Sequence, residues 1–295
     1  MKRALAAVRL LPAPGAGQVA GPASDPTWSV DAPSPWAPLT PDEAAAPAYC
    51  NVCRWHGTAF GGPAHCEGAT CPRCGSVGRD RFLLWCLVER QPPRLGQRVL
   101  ETSPRLDHRY RVAMGSWFDY RSSDYDERAH RGVLRLDLQA IDLPDEDVDV
   151  MLSPHVLEHV PDTDRALAEI HRILAPGGVL YLQVPVLQGR TAPPAEPEFH
   201  GDDTPVFWRF GYDLTERLRA AGFEVAVLVT DGWRDLASAG TGRWPGGDVS
   251  PEFDVDDLLA HVDGAALTGV ARPADAARLG FEPSYMYLTW ECARR

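Results

Sequence analysis

The fold is decided by the stretch VDVMLSPHVLEHVPDTDRALAEIHRILAPGGVLYLQVP, which runs from Val148 to Pro185. It opens with a short apolar run, ended by Ser153-Pro154, and it closes with a second apolar run over residues 179–184. Apolar runs of this length are typical of parallel strands that are covered on both faces. The stretch therefore predicts two neighbouring buried strands.

The residues between these two runs have the pattern of a helix. Asp162 and Thr163 are good N-cap residues, and apolar residues recur at helical spacing from Leu167 onward. Pro176-Gly177-Gly178 is expected to end the helix, because proline cannot continue it and glycine tolerates a left-handed turn. A strand, helix and strand in this order form a right-handed parallel unit, and ligands bind beyond the carboxyl ends of its strands. The residues after the first strand are thus expected to line a site.

Two runs inside this stretch point to a known family. LEHVPD, followed by RALAEIHRILAPGG, resembles the segment after the cofactor loop in class I S-adenosylmethionine-dependent methyltransferases of type 11. The resemblance extends from about Arg98 to the C-terminus. It implies an α/β fold with a Rossmann-like seven-stranded sheet, S-adenosylmethionine as cofactor, and methyl transfer as the activity.

Further elements are predicted around this unit. Residues 98–100, 117–122, 133–136, 223–229 and 285–290 have the pattern of strands, and residues 214–221 that of a helix. The last two strands are expected to form an antiparallel hairpin at one edge of the sheet. About fifty residues lie between them, from about 231 to 283, and they include GTGRWPGGD and the helix-like VDDLLAHV. This insertion is our candidate for substrate selection, with a solvent-exposed elaboration as the alternative.

Composition divides the chain into three parts. Residues 1–47 are rich in alanine, proline and glycine and are predicted to be a disordered tail, although Trp28 and Trp36 have the character of docking residues. Residues 48–96 are predicted to be a zinc-binding module with a linking helix, and residues 97–295 the methyltransferase domain with its insertion. Residues 50–98 hold seven arginines and three acidic residues. This positive patch is a candidate site for an anionic group, and the alternative is that its arginines are simply solvated.

The whole chain is acidic, with 295 residues and a net charge of −12. This charge argues against a polyanionic substrate such as nucleic acid, because phosphate contacts need lysine or arginine in quantity. No apolar run approaches the roughly 20 residues of a membrane span. Arg9 interrupts the apolar part of the N-terminus, which argues against a secretory signal. We therefore predict a cytoplasmic protein without a membrane partner that acts on a small-molecule or peptide substrate.

Four cysteines have the spacing of a metal site. Cys50 and Cys53 are separated by two residues, as are Cys71 and Cys74, and seventeen residues lie between the pairs. This arrangement is typical of a structural Zn²⁺ ion held by four thiolates, which leave no open coordination position. Disulfides are the alternative. Other candidate ligands are Cys66, His56 and His65.

The resemblance also implies where the cofactor binds. The family usually has an acidic residue before a glycine-rich loop, and here Glu101 is followed by Thr102, Ser103 and Pro104, with no glycine. The two hydroxyls are expected to replace the backbone contacts that glycines allow. The other implied contacts are Asp124 for the ribose hydroxyls, with Asp119 and Asp126 as alternatives, Asp137 and Leu138 for the adenine, and Ser153 and Pro154 at the mouth of the site.

Methyl transfer needs an aligned acceptor and, where the acceptor carries a proton, a general base. His155, directly after the strand, is the first candidate base, and His159 and His200 are the next. His200 and Asp202 lie in the loop after the fifth strand and are expected to enter from the opposite wall. A packing or capping role is the alternative for His159. The run from His155 to His159 also resembles the metal-holding run of some ubiquinone and small-RNA O-methyltransferases, although a histidine replaces its first carboxylate.

Two classes of function therefore remain open. The first is a biosynthetic methyltransferase acting on an oxygen or a nitrogen. The second is a protein of the same fold that serves as a binding module or catalyses another reaction, and the absence of a glycine loop supports it. RNA methylation is a weaker third possibility, which the acidic charge opposes.

Overall fold

A computed structural model of the protein describes residues 33–62, 67–126, 134–186, 188–200, 203–239, 259–281 and 287–295. The strands are β1 (Ala48–Tyr49), β2 (His56–Gly57), β3 (Arg98–Thr102), β4 (Asp119–Asp124), β5 (Leu134–Arg135), β6 (Val148–Pro154), β7 (Leu174–Gln183), β8 (Glu198–Phe199), β9 (Pro205–Val206), β10 (Phe223–Thr230), β11 (Leu267–Ala271) and β12 (Leu288–Arg294). The α-helices are α1 (Pro41–Ala45), α2 (Gly78–Arg90), α3 (His108–Trp117), α4 (Thr163–Ile173), α5 (Leu214–Ala220), α6 (Asp231–Ala239) and α7 (Pro273–Leu279).

The central sheet of the described residues has eight strands in the order β11-β10-β12-β7-β6-β3-β4-β5. Strands β3 to β7 pair in parallel, whereas β12 is antiparallel to both β7 and β10. The predicted α/β Rossmann-like fold is confirmed, and the predicted antiparallel pair is β10 with β12. The eighth strand, β11, comes from the insertion and pairs in parallel with β10 at the sheet edge.

Helix α4 covers one face of the sheet as its sequence predicts. Asp162 is the N-cap, and its carboxylate accepts a hydrogen bond from the backbone N–H of Arg165. The helix buries Leu167, Ile170 and Ile173. Burial of each such side chain stabilises the fold by about 1.5–3 kcal/mol. On the opposite face, α2 buries its apolar side chains in a second core cluster, so both faces of the sheet are covered.

The predicted end of α4 is wrong by a few residues. The helix ends at Ile173, and Leu174 already pairs with Val148 of β6. Residues Pro176-Gly177-Gly178 lie within the irregular start of β7, where the pairing register shifts and Gly177 has a φ of 76°. The left-handed turn was therefore predicted correctly, but it bends a strand and does not cap the helix.

Other strand boundaries also differ from the predictions. Trp117 is the last residue of α3, and β4 begins at Asp119 and extends to Asp124. In the last strand, residues 282–286 lie outside the described part, and β12 runs on to Arg294. Both strands extend farther because their ends pair with neighbouring strands, which local sequence patterns do not reveal.

Residues 33–47 are ordered, unlike the disordered tail predicted for residues 1–47. Trp36 packs edge to face on Phe118, and its indole N–H donates to the backbone oxygens of Val88 and Gln91. Glu43 of α1 forms an ion pair with Arg54 of the cysteine module. This stretch therefore docks on the rest of the protein, and residues 1–32, including Trp28, lie outside the described part.

The insertion also packs against the cysteine module. Phe281, just after α7, contacts Phe82 of α2 edge to face. The guanidinium of Arg278 donates to the backbone oxygen of Ala46 and lies over the ring of Tyr49. Residues 240–258, which hold GTGRWPGGD and the first half of VDDLLAHV, lie outside the described part. The described part of the insertion thus joins the module to the sheet edge.

Among the described residues, no helix has both the length and the apolar character needed to cross a lipid bilayer.

Candidate active site and cysteine cluster

The carboxyl end of β3 carries a buried, fully engaged carboxylate. Glu101 is only 3% exposed, and its Oε2 accepts hydrogen bonds from the hydroxyls of Tyr110, at 3.0 Å, and Tyr120, at 2.7 Å. Burial raises the pKa of Glu101 to about 7, although the two tyrosine hydrogen bonds act in the opposite direction. Sequence reasoning placed Glu101 at the cofactor but missed its two tyrosine partners.

The loop after β3 forms a turn without glycine. Ser103 has a φ of 47°, the left-handed region that glycine usually occupies. Its hydroxyl donates to Oδ2 of Asp124 at 2.7 Å, and its backbone N–H donates to the oxygen of Ser123. Oδ1 of Asp124 accepts the backbone N–H of Asp126. The structure thus brings together the two predicted residues Ser103 and Asp124.

The remaining predicted cofactor residues lie on the adjacent strands. The hydroxyl of Thr102 donates to that of Ser153 at 3.2 Å, so the ends of β3 and β6 are joined. Asp137 accepts the backbone N–H and the side-chain amide of Gln139, and Leu138 is buried in the core. The last two residues of this set are Pro104, which is buried, and Pro154, which is partly buried. We call Glu101, Thr102, Ser103, Pro104, Asp124, Asp137, Leu138, Ser153 and Pro154 the cofactor half of the site.

The carboxyl end of β6 leads into a cluster of histidines. His155 has a φ of 53°, and its backbone N–H donates to the oxygen of Gln183 at the end of β7. Burial, followed by the positive charge of Arg79, holds the pKa of the His155 imidazole well below its ordinary value. The ring is therefore neutral at neutral pH and able to accept a proton.

The carboxyl group of Glu158 lies between two histidine rings and has no hydrogen-bond partner. Its Oε1 is 3.8 Å from Nδ1 of His155 and 3.8 Å from Nε2 of His159. The residue is 1% exposed, and neither carboxylate oxygen has a hydrogen-bond partner. Burial raises its pKa to about 8. A buried carboxylate without partners is costly, and such groups are often found where they serve a reaction.

A short hairpin covers this cluster. His159 Nδ1 lies 2.7 Å from the oxygen of Pro205, and its ring packs edge to face on His200 at 4.6 Å between ring centroids. The backbone oxygen of Glu158 accepts the N–H of Phe207 at 2.8 Å. The strand pair β8 and β9 thus brings His200 beside His159, whereas Asp202 lies outside the described residues.

Arg79 of the cysteine module also reaches this cluster. Its backbone oxygen accepts the side-chain amide of Gln183 at 3.4 Å, and the backbone of Gln183 in turn binds His155. Its charge lowers the pKa of His155 and acts in the same direction on Glu158. We call His155, Glu158, His159, His200 and Arg79 the acceptor half of the site.

The four predicted metal ligands come together in the cysteine module. The sulfur atoms of Cys50, Cys53, Cys71 and Cys74 all lie within 4.8 Å of one another. The Cys50–Cys74 and Cys53–Cys71 sulfur distances are both 3.7 Å, too long for disulfides and close to the edge of about 3.8 Å in a tetrahedral site with Zn–S bonds of about 2.3 Å. His56 is exposed and outside the cluster, and residues 63–66, with His65 and Cys66, lie outside the described part.

A buried cation lies beside these sulfur atoms. Arg81 is fully buried and donates from Nε to the oxygen of Leu279 and from Nη1 to that of Ser76, whereas its Nη2 has no hydrogen-bond partner. Its guanidinium stacks on Phe60 at 3.8 Å. None of these contacts is a carboxylate, and an isolated buried charge is strongly unfavourable. An anionic set of thiolates nearby would offset it.

Sequence reasoning missed two features of this site. Nothing in the pattern around Arg79 distinguishes it from the other arginines of the module, because its proximity to His155 depends on how α2 docks on the sheet. Glu158 was noticed only as part of a run resembling a metal site. Among the described residues, only the four cysteines bring three or more metal-binding side chains within 4.8 Å.

Comparisons with known proteins bear on the catalytic domain. Residues 118–182 match the family model described as "Methyltransferase domain". A "probable S-adenosylmethionine-dependent methyltransferase" of Mycolicibacterium smegmatis is 37% identical over 92 residues, which are 30% of this chain and 33% of that protein. The chain thus spans about a third of the length of the curated relative that it matches.

Solved structures include similar proteins. An S-adenosylmethionine-dependent methyltransferase from Mesorhizobium loti matches with a TM-score of 0.38 and 20% identity, over 48% of this chain and 81% of that chain. A complex between the Haloferax volcanii Trm112 methyltransferase activator and a methyltransferase matches with a TM-score of 0.39 and 18% identity, over 74% of this chain and 92% of that chain. Residues 118–182 thus match a methyltransferase domain by sequence, and the sheet that contains them has a Rossmann-like fold.

Proposed function

We propose that this protein transfers a methyl group from S-adenosylmethionine to an oxygen or a nitrogen of a small-molecule or peptide acceptor. The observation that carries the proposal is the position of His155, which directly follows β6 inside the segment that matches a methyltransferase domain and lies 3.8 Å from Glu158. The net charge of −12 favours such an acceptor over RNA. A biosynthetic role in the cytoplasm is part of this proposal.

The cofactor half fits S-adenosylmethionine in two respects. The left-handed turn at Ser103 forms the loop shape that glycine supplies elsewhere. The carboxylate of Asp124, at the end of β4, accepts one hydrogen bond on each oxygen and retains lone pairs for ribose hydroxyls. When bound, the cofactor supplies an activated methyl group on a sulfonium. We propose that the residues of the cofactor half hold it.

In the acceptor half, His155 takes the proton that leaves the acceptor oxygen or nitrogen. Glu158 lies 3.8 Å from the imidazole; because its pKa is about 8, it is mostly protonated at neutral pH, and it stabilises the charged imidazole electrostatically only where it has lost that proton. The hairpin with His200 and the buried wall around Glu158 limit access of water to the cluster. His159 lies on the other side of Glu158, with its Nε2 3.8 Å from Oε1, and its own Nδ1 lies 2.7 Å from the Pro205 oxygen.

For the cysteine module we propose a structural Zn²⁺ ion held by Cys50, Cys53, Cys71 and Cys74. Their mutual distances match a tetrahedral ion, and the buried Arg81 beside them offsets the net charge of about −2 that Zn²⁺ and four thiolates carry together. Held by these four residues, such an ion would join the two cysteine turns and position the start of α2.

A second candidate is a protein of the same fold that binds a ligand or catalyses another reaction. The observation that favours it is the engagement of Glu101 by two tyrosines and of Asp124 by Ser103. If these groups keep their internal partners, the cofactor loses two of its expected contacts.

Calorimetric titration with S-adenosylmethionine and S-adenosylhomocysteine tests the proposal. We expect both to bind, and we expect Asp124→Ala to weaken binding by roughly tenfold or more, since it removes charge-assisted hydrogen bonds. Asp119→Ala, at the exposed start of the same strand, is the matched control and should bind as the wild type does. Absence of binding to either compound by the wild-type protein would favour the second candidate.

A further inference from the structure

We propose that Arg79 of the cysteine module binds an anionic group, a carboxylate or a phosphate, on the methyl acceptor. The inference rests on the proposed function and deepens it by assigning a chemical class to the acceptor. It also gives the module a direct part in the site in addition to its structural role.

The first argument is position. Arg79 is the second residue of α2, and Gln183 connects it to the proposed base: the Gln183 side chain binds the Arg79 backbone, and the Gln183 backbone binds that of His155. The guanidinium influences the titration of both His155 and Glu158. Arg79 therefore lies on the wall of the acceptor half.

The second argument is the incomplete pairing of the guanidinium. Its Nε lies 2.6 Å from Oε1 of Glu67, yet it is buried and makes no aligned hydrogen bond. The Arg79 side chain is 16% exposed, whereas that of Glu67 is 47% exposed. A largely buried guanidinium thus faces a carboxylate that water reaches readily. An incoming carboxylate or phosphate can replace such a partner and provide the parallel hydrogen bonds that arginine favours.

The third argument is the charge of the surroundings. Arg105, from the loop after β3, also acts on His155, and it forms an ion pair with Asp80, the neighbour of Arg79. The acceptor half therefore has two guanidinium groups near a neutral imidazole and a carboxyl group whose pKa is about 8. Each of these guanidinium groups already has a carboxylate partner, Glu67 for Arg79 and Asp80 for Arg105, so an anion that displaces the exposed Glu67 from Arg79 is attracted by both cations.

The test is titration of the full-length, zinc-loaded protein with inorganic phosphate and, separately, with acetate. The readout is the NMR resonance of the His155 imidazole, assigned with His155→Ala. We expect one or both anions to shift this resonance, and the more tightly bound anion identifies the phosphoryl or carboxylate character of the acceptor. Arg79→Gln should weaken the binding roughly tenfold, whereas Glu67→Gln should strengthen it, because the anion no longer has to replace a carboxylate.

Arg295→Gln is the matched control, since it removes an ion-paired arginine at the far end of the chain and should leave anion binding unchanged. Equal anion affinity in the wild type and Arg79→Gln, or no shift in any variant, would overturn the proposal. Glu67→Gln keeps the test valid if Arg79→Gln fails to fold, because a purely structural ion pair predicts no tighter binding. Binding of S-adenosylhomocysteine, measured in parallel, separates a failure here from a failure of the proposed methyl transfer.

Discussion

The two halves of the site contain similar buried polar side chains but differ in how completely these are hydrogen-bonded. In the cofactor half, the buried Glu101 accepts two tyrosine hydroxyls, and Asp124 accepts Ser103. In the acceptor half, the equally buried Glu158 has no hydrogen-bond partner, and the Nε of Arg79 makes none that is aligned. Polar groups that are satisfied internally fix a shape, whereas groups left unsatisfied are available to a substrate or a reaction step. We infer that the cofactor half is preorganised, whereas the polar groups of Glu158 and Arg79 are available to a ligand.

The largest effect is expected from breaking the cysteine cluster. Cys71→Ser should abolish zinc binding and lower the melting temperature by roughly 10 °C or more, because the free energy of metal binding contributes to folding. Since the module carries Arg79, anion binding at the acceptor half should weaken more than the binding of S-adenosylhomocysteine. Metal analysis, thermal unfolding and calorimetry measure these three quantities.

Cys86→Ala provides the control for that experiment. Cys86 is buried in α2 outside the cluster, so its loss costs packing but no ligand. It should retain one zinc per chain. If the Cys71→Ser protein retains stoichiometric zinc, the proposed metal site is wrong.

The next largest effect concerns the proposed base. His155→Ala should reduce turnover by about 10²–10⁴-fold, the usual contribution of general base catalysis, and should leave S-adenosylhomocysteine affinity nearly unchanged. The rate of S-adenosylhomocysteine formation, measured with an acceptor identified by mass spectrometry of the co-purified ligand, checks this. His171→Ala, which removes a ring packed on Phe223, is the control. Unchanged turnover in His155→Ala would assign the residue a structural role.

The smallest expected effect is on the pH dependence of the free energy of unfolding, and it compares the two buried glutamates, Glu101 and Glu158. The pKa of Glu101 is about 7 and that of Glu158 about 8, both above the ordinary value of 4.5. The folded state therefore holds these protons more tightly than the unfolded state does. Each group's contribution to the free energy of unfolding is present below about pH 4.5 and is lost as the pH rises to about 7 or 8. The total loss is roughly 3 kcal/mol for Glu101 and roughly 5 kcal/mol for Glu158.

Urea unfolding of Glu158→Gln and Glu101→Gln at pH 5 and pH 9 measures this difference. At pH 9, Glu158→Gln should be more stable than the wild type by about 1–3 kcal/mol, because it removes a buried charge without hydrogen bonds. Glu101→Gln should gain less, since it also weakens the bonds from Tyr110 and Tyr120. Equal gains in the two variants would mean that the two halves do not differ in the way proposed.

Much of the fold followed from local patterns. The apolar runs of β6, β7 and β10 and the cap and spacing of α4 were predicted close to their observed positions, because each is a complete local signal. The boundaries failed where pairing between distant segments decides them. Leu174 leaves the helix to pair with Val148, and β12 extends to Arg294 through its pairing with β10.

The candidate site shows the same division. The CxxC spacing and the position of His155 after a strand were visible in the sequence, since each depends on residues close together in the chain. The tyrosine partners of Glu101 and the approach of Arg79 to His155 were not. They depend on how α3, β4 and α2 pack around the sheet.

By itself, therefore, the sequence determined the class of fold, the four cysteines that come together and the edge of the sheet where chemistry is expected, because periodicity and short spacing are local properties. Only the tertiary structure decided which polar groups are satisfied and which are not. That distinction depends on burial and on partners from other elements of the fold, such as Tyr110 and Tyr120 for Glu101 and Gln183 for the Arg79 backbone.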